Sequence, residues 1–335
     1  MNDGRRLPGW LPTQPPSLPR LPGGLRPWIS LVSLGFVMAA LLSHGRQLLQ
    51  FRLDPQGWLW LALAVGTSLL SLVANGVALG VVLRWLGHRP RWEQLVALYL
   101  ATNLRKYLPG GIWHLASRVQ ALRTGEGGVT APMRTGLSLV AVLLDPLLAA
   151  TAALALVPLA GWQRGLGLVC LVPLALLQPR WLAPLLQRLE RRRARDLGLE
   201  EELEREGPNV PAPVAVRRYP WPPLLAELTF VLLRFAGFAC CVLAFDLQNS
   251  LDWPSWLAGF ALAWTAGLVV PGAPGGLGVF EAVLLLRLGV ALPEPPLLAV
   301  ALSYRLVVTL ADLLAAGVVA LDQKLASRLD GASSQ

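Results

Sequence analysis

Val269-Val270-Pro271-Gly272-Ala273-Pro274-Gly275-Gly276-Leu277-Gly278-Val279-Phe280-Glu281 is a proline- and glycine-rich break between two apolar arms, with a carboxylate just after it. In a water-soluble chain such a run is an ordinary loop. Here both arms are apolar enough for lipid, and backbone freed from a helix inside a bilayer must be buried in protein or line a wet cavity. The break is therefore a place where function is expected. A second copy stands earlier, at Tyr107-Leu108-Pro109-Gly110-Gly111-Ile112-Trp113-His114. The shared core is Pro-Gly-Gly followed by Ile or Leu. The chain reads as two halves, each carrying one broken hairpin.

Composition agrees. Of 335 residues, 54% are hydrophobic and 15% charged, with mean hydropathy +0.53. A soluble chain carries about 25% charge. Several apolar runs approach the roughly 20 residues that a spanning helix needs. The net charge of +9 comes with no nucleic-acid-binding motif, so nucleic acid is not an expected partner. Basic residues of a membrane protein instead sit at the cytoplasmic edge beside anionic lipid. Cys170, Cys240 and Cys241 lie in apolar runs without metal-ligand spacing.

Outward from the two breaks, residues 1–27 read as a disordered cytoplasmic tail and 28–321 as the membrane domain, with halves at about 28–160 and 165–321. Residues 322–335 read as a cytoplasmic tail. Spans are expected at 28–43, 58–83, 135–160, 165–178, 223–247 and 297–321. Asp145-Pro146 falls in the middle of the third and favours a kink. The arms around each break are short; residues 112–123 reach about 18 Å at 1.5 Å per residue, against a core of roughly 30 Å. The expected fold is an all-α polytopic membrane protein of about six spans plus two re-entrant hairpins. The second hairpin's arms can also be counted as full tilted spans. Segment 179–222 is a cytoplasmic loop, where Leu182, Leu185, Leu186 and Leu189 share a helical face flanked by arginines. It reads as a basic amphipathic helix on lipid or as a solvated loop.

With the first hairpin entering from inside and the second from outside, 23 of the 29 Lys and Arg lie inside and 4 outside, leaving Arg234 and Arg305 within spans. That asymmetry favours cytoplasmic termini. Each half then reads span, span, hairpin, span, in opposite orientations: an inverted repeat.

Ionisable side chains inside a bilayer are costly and point to function. The first hairpin carries Arg105, Lys106, His114 and Arg118; the second carries Glu281; Arg305 lies deep in the last span. Glu281 reads as the partner of an arginine or as a proton-coupling group; Glu227 can pair with Arg234, seven residues on along one face, and Asp145, Glu227 and Asp312 are expected to satisfy neighbouring spans. Pro109-Gly110-Gly111 and Pro274-Gly275-Gly276 each start a short helix, whose free N–H groups and partial positive charge attract anions. Glycine lets a phosphate approach the backbone. Arginine grips phosphate with two bonds. Nucleotide-loop, metal-pair and serine-hydrolase motifs do not occur, so neither a cofactor nor a catalytic role is expected.

Asn103-Leu104-Arg105-Lys106-Tyr107-Leu108-Pro109-Gly110-Gly111, Arg118, Pro274-Gly275-Gly276-Leu277-Gly278-Val279-Phe280-Glu281 and Tyr304-Arg305 resemble the lysylphosphatidylglycerol synthase transmembrane family. It is the flippase-like membrane domain of bacterial multiple-peptide-resistance factors. The resemblance covers about residues 28–321. It implies movement of a phospholipid between leaflets, with Arg118, Glu281 and Arg305 at motif positions. Phe280 replaces a residue that is often basic or polar there. The aminoacyl lipid is made by a separate soluble domain in two-domain members, and no such activity is expected of this chain. The reading is a lipid translocator of the inner or plasma membrane, taking anionic phospholipids as partners. The alternatives are a membrane-embedded enzyme on lipid phosphate or lipid-linked sugar, using His114 and Glu281, and a non-transporting partner of an envelope enzyme. A homo-oligomer is compatible with each.

Overall fold

The computed structural model describes residues 54–108, 112–126, 128–161, 165–205, 218–270, 274–276 and 278–333. The expected tail at 1–27, the expected span at 28–43 and Pro109, Gly110 and Gly111 lie outside the described residues. Among those described, the regular elements are helices, apart from one isolated bridge between Pro90 and Val129.

Helix α1 (Pro55–Trp85) starts where Asp54 Oδ1 accepts the Gly57 N–H at 2.6 Å. Pro55 occupies the position where a missing N–H is harmless. The first hairpin is α2 (Trp92–Asn103), a 3₁₀ turn (Leu104–Tyr107), the break, and α3 (Trp113–Thr124). Helix α4 (Thr135–Leu156) runs through Pro146 as one element. Helices α5 (Leu166–Leu176) and α6 (Pro179–Asp196) are bent by 82° at Leu177 and Gln178. Proline at 179 forces the preceding residue out of helix and starts the new direction. Then come α7 (Glu200–Arg205) and α8 (Trp221–Ala244). The second hairpin is α9 (Trp253–Val269), the break and α10 (Val279–Leu288), and α11 (Glu294–Ser333) closes the chain.

This is an all-α polytopic membrane fold. Four described helices are long and apolar enough to cross a bilayer: α1, α4 with its 3₁₀ extension, α8 and α11. The expected span at 165–178 is 11 residues of helix, about 16 Å. It attains spanning length only together with α6, across the bend. Three hairpin arms are short too, α2 and α3 with 12 residues each and α10 with 10, about 15–18 Å, whereas α9 has 17 and reaches about 25 Å of a roughly 30 Å core.

The packing joins the two halves in matched pairs. Helix α2 of the first half lies on α11 of the second, and α9 of the second lies on α4 of the first. Helices α1 and α8 pack along their length. The early part of α1 (Ala64, Ser68) meets the late part of α8 (Gly237, Phe238), and Leu79 to Leu83 share a core with Leu224 and Phe230. The two helices therefore run antiparallel. Around the second hairpin the core is aromatic: Phe238, Trp256, Phe260, Phe280 and Tyr304 stack at 5.1–6.3 Å.

The amphipathic segment is a helix, α6, and its apolar face is buried against protein. Leu182 and Leu186 are in the core beside α4, while Arg188, Arg191, Arg192 and Arg195 stay exposed.

Candidate headgroup cavity between the two breaks

The second break meets the turn that leads into the first. A Cβ added to Gly275 would stand 2.8 Å from Cε1 of Tyr107, the residue that leads into the first break. A Cβ added to Gly276 would stand 2.8 Å from the Gly267 carbonyl oxygen on the opposing arm. Both glycines have φ near +60 to +71°. Left-handed backbone and closed space together leave room for glycine alone.

Arg305 holds this turn shut. Its Nε donates to Glu281 Oε1 at 2.7 Å, its Nη1 to the Gly275 carbonyl at 2.5 Å, and its Nη2 to the Gly276 carbonyl. All three nitrogens are engaged. The guanidinium neutralises Glu281 and accounts for two carbonyls that the break removes from helical bonding. The expected pairing of Glu281 with an arginine is met by Arg305. Phe280, at the departure from the family pattern, is 2% exposed and stacks on Tyr304, with the Arg305 guanidinium 5.2 Å from its ring centre.

Asp312 does the equivalent for the first break. It accepts from Asn103 Nδ2 at 2.7 Å and Tyr107 Oη at 2.6 Å, and pairs with Lys106 Nζ at 2.6 Å. A carboxylate of the last span thus fastens the hairpin of the other half. Arg105 donates to Ser117 Oγ, joining the two arms of the first hairpin.

Asp145 is a third hub. Tyr99 Oη donates to Asp145 Oδ2 at 3.2 Å and receives a bond from Asn75 Nδ2 at 2.5 Å. Arg118 Nη1 lies 3.7 Å from the same oxygen, Arg118 Nε donates to Thr102 at 3.2 Å, and the guanidinium stacks 3.5 Å from the centre of the Tyr99 ring. Glu227 sits against Asp145 and Arg118. The expected Glu227–Arg234 pair does not form. Seven residues put the two on one face, but packing of α8 on α4 turns Glu227 toward the Asp145 cluster.

Between these hubs lies a cavity of about 280 Å³. Its wall carries Lys106, Arg118, Arg193, Arg234 and Arg305, with Asp145 as the lining carboxylate among the described residues. His114, Tyr99, Asn75, Asn103 and Tyr304 add neutral polar groups, and Gly275 and Gly276 supply backbone. At the rim stand Leu268, Val269 and Val270, exposed apolar residues of the second break, with Val269 at 65%.

Of the expected site residues, Lys106, Arg118, Gly275, Gly276 and Arg305 come together at this cavity. Glu281 stands behind Arg305, and Arg105 faces Ser117. Pro109, Gly110 and Gly111 are outside the described residues; backbone 274–276 forms a short 3₁₀ turn. Sequence reasoning missed the polar partners Asn75 and Tyr99, the bond that Asn103 makes, the place of Arg193 and, among the described residues, the lack of a carboxylate partner for Arg234. Arg234 was identifiable as a cation within a span, but its lack of a carboxylate was not.

The family model for the lysylphosphatidylglycerol synthase TM region matches residues 28–316. The chain belongs to that family. The match includes both breaks, all three hubs and Arg234. Curated proteins gave no match. Membership in the lysylphosphatidylglycerol synthase TM region family relates this multi-pass membrane protein to lipid and envelope biosynthesis.

Proposed function

We propose that this member of the family passes the headgroup of an anionic phospholipid between leaflets of the inner or plasma membrane, with the acyl chains left in lipid. The observation that carries the reading is the basic cavity beside an exposed apolar rim. At about 280 Å³ it stands at the lower end of small-molecule sites, which run from about 300 to 1,000 Å³. That volume suits a headgroup and excludes tails. Leu268, Val269 and Val270 offer the tails an apolar border where the headgroup would enter. The family's link to lipid biosynthesis supports the same substrate class. The excess of Lys and Arg on one side supports an arrangement with both termini in the cytoplasm.

Reconstitution into liposomes with labelled phosphatidylglycerol and phosphatidylcholine tests the proposal. Exchange of phosphatidylglycerol faster than in protein-free vesicles is the expected result. Rates equal to those of empty vesicles across several anionic lipids would reject it.

A further inference from the structure

The cavity cations differ in what they already hold. Arg305 has all three nitrogens bonded, Lys106 is paired with Asp312, and Arg118 leans on Asp145. Arg193 pairs with Asp196 at 3.2 Å. Arg234 has no carboxylate among the described residues. It is 5% exposed and lines the cavity, and its Nε and Nη1 are sealed from solvent with no acceptor. The Phe230 ring centre lies 5.8 Å from its guanidinium carbon. Arg118, 2% exposed, likewise has a sealed Nη2 without a partner, and so does the Tyr304 hydroxyl.

A buried guanidinium without an acceptor is strongly unfavourable. A fold that keeps one in a cavity is arranged for an acceptor that arrives from outside. We infer that Arg234 is the primary anion-binding residue of this cavity, taking a phosphate group with Arg118 and Tyr304 as auxiliary donors, while Arg305 and Lys106 are structural fasteners. The inference rests on the headgroup reading above and deepens it. The fork of N–H groups on a guanidinium matches two oxygens of a tetrahedral phosphate. A lone guanidinium fork fits the single negative charge of a phosphodiester better than the higher charge of free phosphate. The shared chemistry is a phosphate oxygen pair; a lipid headgroup and inorganic phosphate are its two sources.

The experiment uses the full chain, purified in mild detergent, and measures binding of dihexanoyl-phosphatidylglycerol, dihexanoyl-phosphatidylcholine and inorganic phosphate by calorimetry. Losing charge-assisted bonds in Arg234→Gln weakens phosphatidylglycerol binding roughly 10- to 100-fold. Arg234→Lys retains part of it. The unfolding midpoint of Arg234→Gln stays at or above that of the wild type, because an orphan cation is removed. Displacement of the lipid by inorganic phosphate at equal concentration would assign the site to free phosphate and overturn the lipid source. Unchanged lipid affinity in Arg234→Gln would overturn the site itself, as would a midpoint that falls while affinity holds. Leaflet exchange in vesicles separates this inference from the proposed function. Binding that depends on Arg234 without exchange by the wild type would sink translocation and keep the site. Exchange that Arg234→Gln leaves intact would sink the site and keep translocation.

Discussion

Arg305→Ala removes three hydrogen bonds at once and leaves Glu281 and two break carbonyls without their donor. The pair is not a surface bridge: the side chains are 14% and 11% exposed, so solvent screening is small. Breaking a buried pair by deleting one partner costs about 3–5 kcal/mol. Water entering through the cavity can reach the freed carbonyls, which places the loss near 3 kcal/mol. At about 2–4 °C per kcal/mol for a domain of this class, the unfolding midpoint falls by about 6–12 °C. The chain supplies its own probe. Cys170 and Cys241 are buried and Cys240 half-buried, so in a Cys240→Ala background a thiol-reactive fluorophore reports unfolding. Arg305→Met with Glu281→Met removes both charges together and recovers most of the loss, since neither group is left orphaned. A midpoint for Arg305→Ala within about 2 °C of wild type, or a double variant no better than the single one, would refute the fastening role.

Other outcomes follow from the same geometry. Gly276→Ala forces a Cβ to 2.8 Å from the Gly267 carbonyl at φ +71°, and strain of about 1–3 kcal/mol should lower the midpoint more than Gly317→Ala, where the space is open. Asp312→Asn strips Lys106 of its counter-charge and weakens three contacts across the halves; disulfide trapping between cysteines introduced on α2 and α11 should slow measurably. Tyr99→Phe interrupts the bonds from Asn75 to Asp145 at about 1 kcal/mol, read by the same thermal assay. Burial lowers the pKa of His88, in the turn between α1 and α2, below its ordinary 6.5. As pH falls through that window the unfolded chain takes the proton first. Stability therefore declines slightly, and His88→Gln should flatten that part of the pH profile.

Much of this architecture can be read from residue order. Pro-Gly-Gly inside apolar runs marks both breaks, and long apolar runs mark the four full helices. Lys106, Arg118 and Arg305 stand out because charge in such runs is rare. What each charge touches is another matter. Periodicity puts Glu227 and Arg234 on one face, yet packing on a neighbouring helix turns Glu227 toward Asp145 instead. The leucine face of α6 is evident from spacing, but spacing does not tell whether lipid or α4 covers it. Asn75 and Tyr99 are neutral, so nothing in an apolar run flags them, and Asn103 stands in a motif that does not name its partner. Their role arises only when α1, α2, α4 and α11 come together.

The crossed docking of α2 on α11 and of α9 on α4 bears on how such a protein can be divided. Neither half carries a complete set of neighbours for its own hairpin. Cut between Arg205 and Arg218 and produced separately, each fragment exposes a polar hub to lipid and should be degraded. Made together in one cell, the fragments complete each other and should co-purify. The chain is thus held together as interlocked hooks rather than as two beads on a string.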